Sequence, residues 1–255
     1  MQDTIMLLAA VGFIAGIVDS IAGGGGLLAI PALLLAGFDP VSALATNKLQ
    51  GSFGTGSAVV AYARHGHIDF RSSKRMVATT FIAACLGVFA VAFAPTSLLS
   101  ALMPILLIAM ALYFALSPKL SNDDAHARIT QKKFSYTAAP AVGFYDGLFG
   151  PGAGSFYLLS FVTLLGYGVL RASAHTKLLN FTSNIASLVV FALSGKIIWT
   201  VGLAMGAGQF LGAQVGSRLA IKSGAKLIRP LLVVVCIGMA IKLLLDPANP
   251  LRAMF

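Results

Sequence analysis

The chain carries the same pattern twice. Ala10-Val11-Gly12-Phe13-x-x-Gly16 returns as Ala141-Val142-Gly143-Phe144-x-x-Gly147, and each copy leads into a glycine cluster and then into Ala-x-Ala-x-x-Lys-Leu. That second element aligns Ala43, Ala45, Lys48 and Leu49 with Ala172, Ala174, Lys177 and Leu178. The register continues through Gly66/Gly195, Ile68/Ile197, Phe81/Phe210 and Gly87/Gly216. Pro104 and Pro230 extend the match three residues out of step. Duplication of a long apolar unit is a construction of secondary transporters, whose substrate site lies where the copies meet. Duplication alone fixes no function.

The units must sit in a membrane. The 255 residues are 58% hydrophobic and only 10% charged, with mean hydropathy +0.89, too little charge for a soluble surface. Apolar runs of about 18 residues or more cross a hydrocarbon core about 30 Å thick. Six such runs occupy approximately 44–63, 76–94, 98–117, 172–194, 198–217 and 227–245. Two further apolar regions, roughly 5–36 and 137–168, are too long for one helix and are interrupted by glycines. Asp3, with no lysine or arginine before the first apolar stretch, argues against a cleavable signal peptide. Cys85 and Cys236 lie in apolar spans without metal-binding or disulfide spacing and read as packing residues. No metal or cofactor is expected.

The formal charge is +10, yet twelve of the eighteen basic residues fall in three connecting segments, which reads as topology rather than nucleic-acid binding. The segments are Arg64, Arg71, Lys74 and Arg75; Lys119, Arg128, Lys132 and Lys133; and Arg218, Lys222, Lys226 and Arg229. The positive-inside rule makes each cytoplasmic. The turn near Lys196 is then outside while its counterpart near His67 is inside, so the copies are inverted. Each glycine-rich region must cross twice or enter and return, with breaks at Gly23 to Gly26 and Gly150 to Gly154 and both termini outside. Non-helical backbone at membrane depth persists only when buried in protein or lining a wet cavity. The expected fold is therefore an all-α polytopic membrane protein with two inverted-topology repeats, 1–118 and 136–255, joined by a cytoplasmic linker, 119–135. Each repeat holds a glycine-broken or re-entrant helix pair plus three spanning helices. A competing reading makes each glycine-rich region one tilted crossing, giving eight membrane segments rather than ten.

Polar residues inside the apolar regions mark the candidate site. Gly23, Gly24, Gly25 and Gly26, with Gly152, Gly154 and Ser155 in the second cluster, are expected to open helices whose N–H groups and dipole favour an anion. Close packing through small residues is the alternative, which Gly202, Gly206, Gly208, Gly212 and Gly216 illustrate better. Lys48 and Lys177 are costly at membrane depth unless they snorkel or meet a partner. They either offer positive charge to a small anion in a central cavity or anchor at the interface. Thr176, Asn180, Ser183 and Asn184 form one polar stripe, and Thr46, Asn47, Gln50 and Gly54 a less complete counterpart. Asp19 and Asp146, candidates for proton coupling or for pairing with Lys48 or Lys177, do not match in the aligned copies. His175 is a titratable candidate and Gln209 a weaker cavity residue.

These residues together resemble the TauE/SafE family of sulfite and organosulfonate exporters, and especially its YfcA-type members. The resemblance runs over nearly the whole chain. Its carriers are Gly12 to Gly16, Asp19 to Gly26, Ala45 to Gln50, Gly143 to Phe156, Ala174 to Asn180 and Gly208 to Gly212. It implies a multi-pass inner-membrane transporter of small sulfur-containing anions, with the lipid bilayer as its surroundings and a homo-oligomer compatible with it. Substrate and direction stay open. The other readings are a channel or a non-transporting scaffold, and an intramembrane hydrolase with Ser155 as nucleophile and His175 as base. The last lacks the glycine after serine expected of rhomboid-like proteases, and no enzyme is expected.

Overall fold

The computed structural model describes residues 2–116 and 123–223, with scattered positions between 233 and 245. Among the described residues there are ten helices and no strand: α1 (Gln2–Ala22), α2 (Gly25–Leu35), α3 (Pro40–Arg64), α4 (Phe70–Phe93), α5 (Thr96–Leu116), α6 (Gln131–Tyr136), α7 (Ala138–Leu148), α8 (Ala153–Leu165), α9 (Val169–Ser194) and α10 (Trp199–Ser223). The chain is an all-α polytopic membrane protein. The expected span at 227–245 lies largely outside the described residues, as does Cys236.

Local chemistry fixes the boundaries. Asp39 accepts from the N–H groups of Val41 and Ser42, and Pro40 opens α3 where no N–H is needed. Asp69 caps α4 through Arg71 and Ser72. The turns after α3 and α9 each contain a left-handed glycine, Gly66 (φ 73°) and Gly195 (φ 66°), at positions the duplication matches.

Both breaks are narrower than expected. Only Gly23 and Gly24 separate α1 from α2, so Gly25 and Gly26 belong to α2; in the second half the break is Phe149 to Gly152, and Gly154 is helical. The second half has an additional interruption, at Thr137, between α6 and α7.

Three described helices are long and apolar enough to cross a membrane, over Gln2–Ile21, Phe70–Phe93 and Val169–Ser194. The runs at 44–63 and 198–217 form α3 and α10, each 25 residues long, but their mean hydropathy is diluted by polar and glycine positions. Those positions face inward. Phe93 is 86% and Leu193 86% exposed on the outside, whereas Lys48 is 1% exposed inside. Apolar surface outside and charge inside is the distribution lipid requires.

Close approaches give the register. A methyl on Gly12 would strike Met205, one on Gly16 Gln209, and one on Gly212 the Phe13 carbonyl oxygen at 1.9 Å; positions rise together, so α1 and α10 run parallel. A methyl on Gly143 would meet Thr80 and one on Gly147 the Ala84 carbonyl oxygen, so α7 and α4 are parallel too. The first arm of each hairpin thus packs on a long helix of the other half. Thr46 and Leu49 lie at Gly202, Phe53 at Gly206 and Ser57 at Gln214, which makes α3 parallel to α10. Gly51 meets Asn184 while Gly56 meets Phe181, so α3 and its copy α9 run antiparallel. Ile5, Leu8, Leu33, Phe38, Ala43 and Val201 share one apolar cluster, so α2 returns to the end where α1 entered. The α1–α2 pair is a helical hairpin.

These contacts correct the alignment of the hairpins. Thr80 and Ala84 of α4 correspond to Gln209 and Ala213 of α10. Gly143 meets Thr80 as Gly16 meets Gln209, and Gly147 meets Ala84 where the Ser20 hydroxyl donates to the Ala213 carbonyl at 3.2 Å. Gly143 therefore corresponds to Gly16, one turn from the match that Ala-Val-Gly-Phe suggests. Small residues four apart on a packing face look alike after a slip of one turn. In the structural register Asp19 matches Asp146 and Gly23 matches Gly150, overturning the expectation that the two acids are not equivalent.

Candidate functional site

Asp19 and Asp146 stand in the last turn of α1 and α7, where the helix dipole is negative. A lysine from the other half answers each. Lys48 on α3 donates to Asp146 Oδ1 at 2.7 Å and to the Asp146 carbonyl oxygen; Lys177 on α9 donates to Asp19 Oδ2 at 3.1 Å and to the Asp19 carbonyl oxygen. Both ion pairs are buried. Asp146 also accepts from the Ser183 hydroxyl, and Asp19 from the Gly25 N–H at 3.3 Å. The positive end of α2, expected to face a substrate anion, therefore meets Asp19.

A small cavity of about 20 Å³ lies between the hairpin tips, room for roughly one water. Asp19, Gly23 and Gly26 line it from the first hairpin, and Asp146, Gly150 and Gly154 from the second. Asn47, Gly51 and Thr55 come from α3, Asn180 and Asn184 from α9, and Gln209 from α10. Ten of these twelve residues are structural counterparts: Asp19/Asp146, Gly23/Gly150, Gly26/Gly154, Gly51/Asn180 and Thr55/Asn184. The cavity is centred on the relation between the halves.

Its wall is mainly amide and backbone. Asn184 Nδ2 donates to Thr55 Oγ1 and to Asn180 Oδ1, both at 3.4 Å. Gly54 leaves the space across which Gln209 lies, and Gln209 Oε1 is buried without a hydrogen-bond partner. Amide N–H groups can hold oxyanion oxygens, with both carboxylates in the same wall and their lysines behind them.

Of the candidate binding residues, Gly23, Gly26, Asn47, Gly154, Asn180 and Asn184 line the cavity with both carboxylates. Lys48 and Lys177 are not in its wall, because each is turned onto its aspartate. Gly24, Gly25, Gln50, Gly152, Ser155 and His175 are not in the wall either. Gly152 faces Met110, and Gln50 is buried with neither amide atom hydrogen-bonded. His175 lies against Phe161 and Tyr167, its Nδ1 2.9 Å from the Arg171 carbonyl. Gly51 and Thr55 were missed, though they continue the four-residue spacing from Asn47.

Described residues of each basic segment gather at one end. Because α10 parallels α3 and α9 opposes it, Arg64, Arg171 and Arg218 share that end. The segment carrying Arg128 joins them through its N–H bond to the Leu164 carbonyl at 2.9 Å. Gln131 Nε2 also donates to the Ser72 carbonyl at 3.1 Å.

A family model described as Sulfite exporter TauE/SafE matches residues 8–243. The chain belongs to that family. It is 55% identical over 240 residues to the probable membrane transporter protein ORF9 of Sinorhizobium sp, covering 94% of this chain and 92% of that protein. It is 50% identical over 236 residues to the probable membrane transporter protein YfcA of Escherichia coli K12, covering 92% and 88%. A more distant relative, the probable membrane transporter protein YunE of Bacillus subtilis, is 25% identical over 266 residues, covering 94% and 97%. Family and relatives together indicate a membrane transporter.

Proposed function

We propose that this chain is a secondary transporter of small sulfur-containing oxyanions, such as sulfite, thiosulfate or sulfonates, working by alternating access in the inner membrane. The observation that carries this reading is the set of matched residues around one cavity between antiparallel copies of the same helix. Halves related by inversion can exchange conformations, which turns a site from one side of the membrane to the other. A cavity with room for one water is the closed member of that cycle, and the oxyanion enters as the hairpin tips part. Asn47, Asn180, Asn184 and Gln209 supply donors. A proton on Asp19 or Asp146 neutralises that carboxylate and releases its lysine toward the anion, coupling proton and substrate. The clustered arginines and lysines support a cytoplasmic placement of that end, with the amino terminus outside.

Flux assays in proteoliposomes test this. Uptake or efflux of sulfite, thiosulfate or sulfoacetate should saturate with concentration and be lost in Asn184→Leu, which fills the cavity and removes its amide. If none of these anions crosses or binds, the oxyanion assignment fails; unsaturable flux would make the protein a channel.

A further inference from the structure

A second pocket, of about 10 Å³, adjoins the central cavity and shares Gly23 and Gly154 with it, its lining mixing hydroxyls with Ile21 and Leu158. There the hairpin tips touch. A methyl on Gly23 would lie 2.6 Å from the Gly154 carbonyl carbon, and one on Gly154 2.7 Å from the Gly23 carbonyl oxygen. The pocket's polar wall is Ser20, Ser173, Thr176 and Lys177. Ser173 and Thr176 lie in the turns of α9 that lead toward the end of the molecule where the basic side chains gather. Thr176 is 2% exposed, and its hydroxyl has no hydrogen-bond partner. The Lys177 ammonium has three N–H groups, of which Asp19 receives two.

The other half lacks this arrangement. Ser173 corresponds to Leu44, which is 1% exposed, and Leu158 to Ile30, which is fully buried. At Ser173 the first half has an apolar side chain where the second keeps a hydroxyl, and at Thr176 it has Asn47.

We propose that this pocket is a second anion site, a vestibule for sulfonate-like or other small oxyanions between the central cavity and the basic end. The Gly23–Gly154 contact is the gate between them. An anion entering from the basic end meets the Thr176 hydroxyl and the remaining Lys177 N–H, and parting of the two glycines passes it to the asparagines. The proposal rests on the transporter reading, and it adds a place at which an anion waits and a contact that must open.

The test uses a single cysteine, Ser173→Cys, in the full chain with Cys85→Ala and Cys236→Ala, reconstituted in lipid nanodiscs. Two thiol reagents of similar size are compared, the anionic sulfonatoethyl and the cationic trimethylammonioethyl methanethiosulfonates. The anionic reagent should react at least fivefold faster, Thr176→Val should reduce that ratio, and sulfoacetate should slow the labelling. Equal rates for the two reagents, or faster reaction of the cation, overturn the vestibule whether or not any anion is transported. Sulfoacetate flux with no preference at position 173 leaves the carrier standing without the vestibule. Anion preference at 173 without flux keeps the vestibule and removes the carrier. Ser20→Cys, on the facing wall, repeats the reading if Ser173→Cys does not fold.

Discussion

The two hairpins place the same charge in different frames. In the first, α1 is one continuous helix of 21 residues, and two residues separate it from α2. In the second, the approach is interrupted at Thr137, α7 has 11 residues, and four residues precede α8. Each ends in an aspartate held by the other half's lysine, but Asp19 also turns an oxygen to its own α2 while Asp146 turns one to Ser183 of α9. The crossed ion pairs recur at both hairpins while their supports differ.

Removing the lysines should show the largest difference. Truncating one partner of a buried pair costs about 3–5 kcal/mol because the other charge stays behind without compensation. In Lys48→Ala, Asp146 keeps only a hydroxyl; in Lys177→Ala, Asp19 keeps a backbone N–H at the positive end of α2. Lys48→Ala should therefore lower thermal stability in detergent more than Lys177→Ala, and adding Asp146→Asn to it should recover part of the loss. Equal losses would mean that the different supports do not matter and would break the comparison.

The two helix seams give a smaller and more even effect. Gly212→Ala drives a methyl into the Phe13 carbonyl, and Gly147→Ala into that of Ala84; neither backbone can step aside. Overpacking of this kind costs about 1–3 kcal/mol, and the two variants should match within about 1 kcal/mol. Gly202→Ala should cost less, since its methyl meets the end of the Leu49 side chain. A large excess at one seam in thermal unfolding would show that one crossed pairing holds the halves together.

Much of the fold was legible because membrane physics writes it in coarse symbols. Apolar length gave α4, α5 and α9, basic residues gave the common end, and clustered glycines gave the breaks. The hairpin register was misread because Gly12, Gly16, Gly143 and Gly147 all serve helix contact, and such a face repeats every turn. Asp19 and Asp146 carried the correct register but were too few to outweigh five matched small and apolar residues. The site was half legible. Asn47, Asn180 and Asn184 announced themselves as amides at membrane depth, but Gly51 lines the cavity by having no side chain, and Thr55 resembles an ordinary helix-packing threonine. Pairing of the lysines with the two aspartates was one of the readings open in the sequence, but which lysine meets which aspartate was not, since that depends on which half each hairpin packs against.

The smallest expected effect separates the starts of α3 and α9. Asp39 caps α3 from the adjacent residue, but α9 begins at Gly168 without a side-chain cap of its own, and Asp124 of the linker reaches across instead. One Asp124 oxygen accepts from the Gly168 N–H at 2.6 Å, and the other pairs with Arg171 at 3.1 Å, whose guanidinium lies 3.8 Å above the Tyr167 ring. The Gly168 N–H first, and then Arg171, hold the Asp124 carboxyl below its ordinary value. A depressed folded value stabilises the native state above the unfolded carboxyl pKa of about 3.9. The contribution fades as pH falls through the folded value. Asp124→Asn should cost under about 1 kcal/mol at pH 7, as exposed pairs do, and the gap from the unmodified chain should narrow as the pH drops into the acid range. A gap that stays constant across that range would assign the tie to packing of the linker against α9 rather than to charge, making the two helix starts alike in their indifference to pH.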